Sequence, residues 1–389
     1  MNRPAQNPTE AKNGRFRLAI ALDGLTGGGA ARVAAILGNA WVAKGLDVFL
    51  VTSDDGSCAP AYWVHEQAKV FHLGLRRDSY SPLQAVANNT SRIIRLRTAL
   101  RRLKPDVIIS FLDTLNVIVL LATRGLGIPV IVSERTDPAG RNLGRAWELL
   151  RRLTYRWADA VVCQGERPLR YFGRRTRRRG RIIPNPVALP AAAAGLRAGV
   201  SCPGQVRTLV AMGSLRPEKG FDVLLNAFSQ VVPRHREWRL VIWGEGPLRS
   251  ELESQASQLG IADHITFPGV TREPFARLAE ANLFVLSSLV EGFPNVLTEA
   301  MSVGLPVIAT DVGAVPEIVR DGIDGVLAPP GQEEALAVAM DRLMGNREAR
   351  SCLAARAPDV LERFSLKKVV GMWEELICEV AGAERVSSF

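Results

Sequence analysis

The sequence predicts an α/β protein of two Rossmann-like domains facing each other across a cleft, and three observations carry that prediction. Strand-like and helix-like runs alternate along nearly the whole chain, the pattern that builds parallel sheets covered on both faces. The alternation lapses once, after Pro186, where residues 188–205 hold two prolines, three glycines and an alanine cluster. Charge divides at the same place: residues 1–200 carry 31 basic and 14 acidic side chains, residues 201–389 carry 18 and 25. A chain of 389 residues is also too long for a single compact core. The expected division is a first domain over 1–187, a linker over 188–206, a second domain over 207–365, and a C-terminal helix over 366–389 that crosses back to the first domain.

Each element follows from its residues. Arg17 to Leu22 reads as a buried strand, Gly27, Gly28 and Gly29 as a turn, and Val33, Ile36, Leu37, Ala40 and Trp41 as one face of a helix. A strand is expected at Val48 to Thr52, a long helix from Pro82 to Lys104, and a strand from Asp106 to Ser110. The segment Leu115 to Thr123 reads as helix, Pro129 to Ser133 as strand, Arg145 to Trp157 as helix, then Ala160 to Cys163 and Arg181 to Ile183 as strands. In the second half, Thr208 to Met212 is a strand. Phe221, Leu224, Leu225, Phe228 and Val232 mark a helix face. Strand, helix, strand follow at Leu240 to Trp243, Pro247 to Leu259 and Ile265 to Phe267. Leu283 to Ser287 is a strand leading to a helix from Pro294 to Val303, with proline at the first helical position and Gly304 as its stop. Two short strands, Pro306 to Thr310 and Gly325 to Ala328, precede an amphipathic helix from Leu366 to Val380.

Composition narrows the classes of function. At 47% hydrophobic and 23% charged residues the chain is neither disordered nor fibrous. Its five cysteines are odd in number and form no C-x-x-C pair, so a disulfide framework and a zinc ribbon are both unsupported. The polar N-terminus lacks an apolar leader core, and no run approaches the ~18 apolar residues of a membrane span. The expected location is cytoplasmic, peripheral at the inner face of the cell membrane. The net charge of +10 gathers in two places, Arg92 to Lys104 and Arg174 to Arg181. Nucleic acid is not the expected partner, because no aromatics interleave these charges to stack on bases. An anionic membrane surface is.

Three loops carry chemistry. The first, Thr26-Gly-Gly-Gly-Ala-Ala, is not G-x-G-x-x-G, yet it allows close backbone approach at a helix start. The second, Gly213 to Asp222, lies between a strand and a helix, so Arg216 and Lys219 can reach one anion. The third runs from Glu291 to Glu299. Its helix start aims the N–H groups of Asn295 and Val296 at an anion, and the two carboxylates can grip hydroxyls on either side. A sugar nucleotide has that pattern of sugar, diphosphate and ribose. No D-x-D, H-E-x-x-H, G-x-x-x-x-G-K-[ST] or G-x-S-x-G motif occurs. No metal site is therefore expected, and Arg, Lys and a helix dipole must neutralise a departing diphosphate.

These motifs, with Gly244-Glu-Gly-Pro247, Gly304 to Glu317, Ile183-Pro-Asn-Pro186, Ser110 to Asn116 and Ser133 to Pro138, resemble the retaining glycosyltransferase family 4 of GT-B fold. Within it the chain looks like bacterial enzymes that extend lipid-linked oligosaccharides. The resemblance implies a UDP-sugar donor, no metal cofactor, and a lipid-linked or polysaccharide-precursor glycan as acceptor. It implies that Glu299 binds the ribose, Glu291 contacts the sugar hydroxyls, and Phe293, Pro294, Asn295 and Val296 line the sugar and phosphate pocket. Lys219 and Arg216 hold the diphosphate, Gly28 approaches it from the first domain, and Gly269 and Val270 border the base. Asn116, Glu134 and Arg135 fall on the acceptor side. Two departures stand out: Ser214 occupies the position where the family often has arginine, and the His common after the strand at Val130 to Ser133 is absent. The alternative reading within the same fold is a sugar-nucleotide epimerase. A nucleic-acid scaffold is the alternative from another class.

Overall fold

The computed structural model describes residues 15–75, 80–187 and 206–382, together with 189, 190, 193, 195, 196 and 198. The first sheet holds β1 (Arg17–Leu22), β2 (Asp47–Thr52), β3 (Lys69–His72), β4 (Val107–Phe111), β5 (Val130–Ser133), β6 (Ala160–Cys163) and β7 (Gly180–Ile182). Its order is β3-β2-β1-β4-β5-β6-β7, parallel throughout. The central strands are buried along their whole length, as in Val-Ile-Ile-Ser-Phe of β4, because helices cover both faces. The strand β3 is absent from the elements read in the sequence. It is a mostly exposed edge, so it lacks the apolar run that marks a buried strand.

The second sheet holds β8 (Arg207–Met212), β9 (Trp238–Trp243), β10 (Ile265–Gly269), β11 (Leu283–Leu286), β12 (Val307–Thr310) and β13 (Val326–Ala328), again parallel, in the order β10-β9-β8-β11-β12-β13. Its core joins Leu224 and Phe228 of helix Phe221–Val231 to Leu336, Met340 and Leu343 of helix Glu333–Gly345. The latter helix, and Arg347–Arg356 after it, also fall outside the sequence reading.

Strand order decides where a ligand can bind. In the first sheet the order reverses between β1 and β4, and in the second between β8 and β11. A crevice opens beyond the carboxyl ends of strands at such a switch point. The loops following β1, β4, β8 and β11 therefore define the cleft, and they are the loops that carry the motifs.

Two chain segments connect the lobes. The linker expected over 188–206 falls largely outside the described residues. Just before it, Val187 donates to the carbonyl of Phe364 at 2.8 Å and forms a parallel bridge with Ser365. The helix Leu366–Ala381 then returns to the first lobe. Its apolar face, Val369, Val370, Trp373, Leu376 and Ile377, joins the core built on Leu18, Ile20 and Trp41. Lys44 to Glu374 at 2.6 Å and Arg181 to Glu379 at 2.5 Å flank that contact.

Candidate active site

The helix Gly29–Ala43 follows β1 after the glycine turn, and Gly28 stands at its cap with φ 87°, a conformation that favours glycine. The loop after β4 reaches helix Asp113–Thr123 through Leu112, a non-glycine residue at φ 81°. A leucine there is strained and persists only where the surroundings enforce it. Both loops border a cavity of about 690 Å³, which Ser214, Lys219, Glu291 to Val296 and Glu299 close from the other lobe.

Within the cavity, Lys219 Nζ lies 2.5 Å from Glu291 Oε1, and the Ser288 hydroxyl donates to the same oxygen at 2.8 Å. Thr310 fixes Ser288 in turn by donating to its carbonyl at 2.6 Å. The Glu291 carboxylate is thus held in one orientation. Glu299 is 5% exposed and meets the guanidinium of Arg32 from the first lobe. Across the hinge side, Gln164 donates to Asn185 at 2.5 Å, and Asn185 donates to the side-chain oxygen of Asn295 at 2.8 Å. These bonds run from the first lobe to the helix Asn295–Ser302. That helix begins at Asn295. Pro294 is its extended cap at φ −70° and ψ 104°, one position earlier in role than the sequence indicated.

The structure gathers Gly28, Ser214, Lys219, Glu291, Phe293, Pro294, Asn295, Val296 and Glu299 around one space, with Arg135 opposite. It does not bring Arg216 there. Arg216 is extended and exposed ahead of the turn Pro217–Lys219, so the turn carries Lys219 inward and leaves Arg216 outside. Gly269 ends β10, and Val270 is 72% exposed beyond it. Neither lines the cavity.

Asn116 and Glu134 are directed into the first lobe. Asn116 donates to the Ser133 carbonyl at 3.1 Å and to the Tyr155 hydroxyl at 3.0 Å. Tyr155 donates to Glu134, and Arg151 lies 3.8 Å from the same carboxylate. Burial raises the Glu134 carboxyl to about 7 against these two partners. A buried carboxylate needs internal partners, and with these partners neither Asn116 nor Glu134, expected on the acceptor side, lines the cavity. The sequence reading gave no role to several cavity residues, among them Arg32, Gln164 and Asn185, although Asn185 lies within the Ile183-Pro-Asn-Pro186 motif. Arg32 had a signal, since it is a cation one turn after Gly28. Among the described residues no group of three or more His, Cys, Asp and Glu side chains could hold a metal ion.

Residues 28–188 match the glycosyl transferase 4-like domain and residues 206–346 the domain of glycosyl transferases group 1. The chain belongs to the group 1, family 4 glycosyltransferases and has their GT-B fold. In particular, it is 28% identical over 372 residues to a Campylobacter jejuni α-1,4-N-acetyl-D-galactosaminyltransferase acting on a diNAcBac-PP-undecaprenol-linked GalNAc disaccharide, spanning 95% of this chain and all of that protein. It is 32% identical over 314 residues to an exopolysaccharide phosphotransferase of Streptomyces coelicolor, covering 79% of this chain but only 32% of that protein. The chain therefore spans about a third of that relative's length. The solved structure of Anabaena HepE with UDP and glucose superposes with a TM-score of 0.73 at 18% identity, over 93% of this chain and 99% of that one.

Proposed function

We propose that this glycosyltransferase moves a hexose or N-acetylhexosamine from a UDP-sugar to a hydroxyl of a lipid-linked or polysaccharide-precursor glycan, with retention at the anomeric carbon. The observation that carries this reading is the convergence of Lys219, Glu291 and the start of helix Asn295–Ser302 on one cavity that Gly28 faces from the other lobe. Lys219 and the helix N-terminus meet the donor diphosphate, Glu291 the sugar hydroxyls, and Glu299 the ribose. Reaction breaks the bond from the anomeric carbon to the phosphate oxygen, and the nucleoside diphosphate leaves. The acceptor hydroxyl attacks from the face that the leaving group vacates and gives its proton to a phosphate oxygen. Positive groups fixed where charge develops are the largest source of rate in such a step.

Incubation with a panel of UDP- and GDP-sugars tests the proposal by thermal shift and by product analysis. A cognate donor at about a hundredfold excess over its dissociation constant adds ~2.7 kcal/mol to stability. With donor alone no new sugar nucleotide is expected, and its appearance would establish the epimerase instead. A chain that no sugar nucleotide stabilises has no donor site.

The basic first lobe is the proposed membrane-facing side. Arg97 and Arg179 are committed to backbone carbonyls, but Arg95, Arg101, Arg102, Lys104, Arg174, Arg175, Arg177 and Arg178 are exposed. Tyr80, Leu83 and Val86 add exposed apolar side chains at the start of helix Pro82–Leu103, at 87%, 84% and 66% exposure. Among the described residues no helix is long and apolar enough to cross a membrane. Sedimentation with anionic vesicles is expected at 50 mM salt and to weaken severalfold by about 300 mM, as screening demands. Equal binding to neutral vesicles would remove the basic face from the account.

A further inference from the structure

We propose that Arg135, which the first lobe contributes after β5, is a ligand of the donor diphosphate. The inference rests on the donor reading above and deepens it.

Three basic residues border the cavity: Arg32, Arg135 and Lys219. Arg32 faces Glu299 and Lys219 faces Glu291. Those two pairs are neutral overall. Arg135 has no carboxylate: its Nη1 and Nη2 are buried with no hydrogen-bond partner. Its neighbour Glu134 is taken by Tyr155 and Arg151. The guanidinium instead lies 4.1 Å from the centre of the Phe111 ring, and burial lowers it to about 9. An unpaired buried cation is costly, and the cost is relieved when an anion arrives. A donor diphosphate brings negative charge that the neutral pairs leave uncompensated.

Position agrees with charge. A side-chain carbon at Gly292 would sit 2.3 Å from the Arg135 carbonyl oxygen, so only glycine lets the two backbones touch. Glu291, the residue before it, holds Lys219. Arg135 and Lys219 therefore approach the Glu291–Gly292 segment from opposite lobes. Ser214 lines the same cavity, while Arg216 does not. The planar fork of arginine donates to two phosphate oxygens at once, which a lysine cannot do in the same planar geometry. A lipid-linked acceptor also carries diphosphate, so the test must separate the two sources.

Calorimetric titration of wild type, Arg135→Gln and the double variant Arg135→Gln/Ser214→Arg with UDP and with UMP makes that separation. The single variant is expected to bind UDP about 10- to 100-fold more weakly, as loss of a charged hydrogen bond implies. UMP should be affected far less. Placing a cation at position 214, on the same cavity, should restore most of the UDP affinity. The ligand-free Arg135→Gln protein should melt close to wild type, because no hydrogen bond or ion pair is lost and only the contact with the Phe111 ring goes. Should it fold poorly, Arg135→Lys is the second variant, with an intermediate loss of UDP affinity expected. Unchanged UDP binding with a raised KM for the glycan acceptor would assign Arg135 to the acceptor's diphosphate and overturn the inference. Equal losses for UMP and UDP would overturn it too. Failure of wild type to bind UDP or GDP would instead bring down the donor reading, and this inference with it.

Discussion

Lys219→Ala should lower transfer by at least about 10²-fold while leaving the fold intact, on the scale of losing one fixed donor to developing charge. Two effects add in the same direction. On the proposed reading, the donor diphosphate loses the one cation that the second lobe brings to the cavity among the described residues. Glu291, whose side chain is 11% exposed, loses the partner 2.5 Å away, so an uncompensated carboxylate is left facing an anionic leaving group. Ser288 still donates to it, which keeps the loop in place and confines the damage to chemistry. Steady-state transfer assays on a variant whose circular dichroism matches wild type supply the check. Turnover within threefold of wild type would remove Lys219 from the site.

Trp373→Ala has the largest expected effect on stability. Trp373 is fully buried in helix Leu366–Ala381, with its ring 6.2 Å from that of Phe111. Truncating a buried aromatic side chain costs ~3–5 kcal/mol in transfer and cavity terms. The cost belongs to the first lobe, although the residue lies at the far end of the chain, because the core it fills is built on Leu18, Ile20 and Trp41. Thermal unfolding should therefore show the first-lobe transition lowered and the second nearly unmoved. A uniform shift of both transitions would mean that the lobes unfold as one unit.

Much of this architecture is legible in the sequence because parallel strands buried on both faces need continuous apolar runs. Val107 to Phe111 and Leu283 to Leu286 could be little else. What escaped was less buried or less periodic. β3 is an exposed edge strand. Helix Glu333–Gly345 shows Leu336, Met340 and Leu343 at helical spacing, a signal that could have found it. Within the candidate site, Lys219 and the segment Glu291 to Glu299 were readable because they follow strands at the switch point of one sheet. Arg32, Gln164 and Asn185 act across the lobes. No periodicity along the chain encodes which loops of two domains will meet. Arg216 lies outside the cavity for a local reason: it is extended and exposed before the proline-initiated turn Pro217–Lys219, whose last residue meets Glu291.

The bridge between Val187 and Ser365 has a mechanical outcome. It ties the outgoing and returning passages of the polypeptide side by side, so the halves share a seam rather than a single tether. Pulling them apart must either pivot about that seam or tear it. Any such separation would also part Arg32 from Glu299 and Arg167 from Asp311, contacts that close the lobes away from the seam.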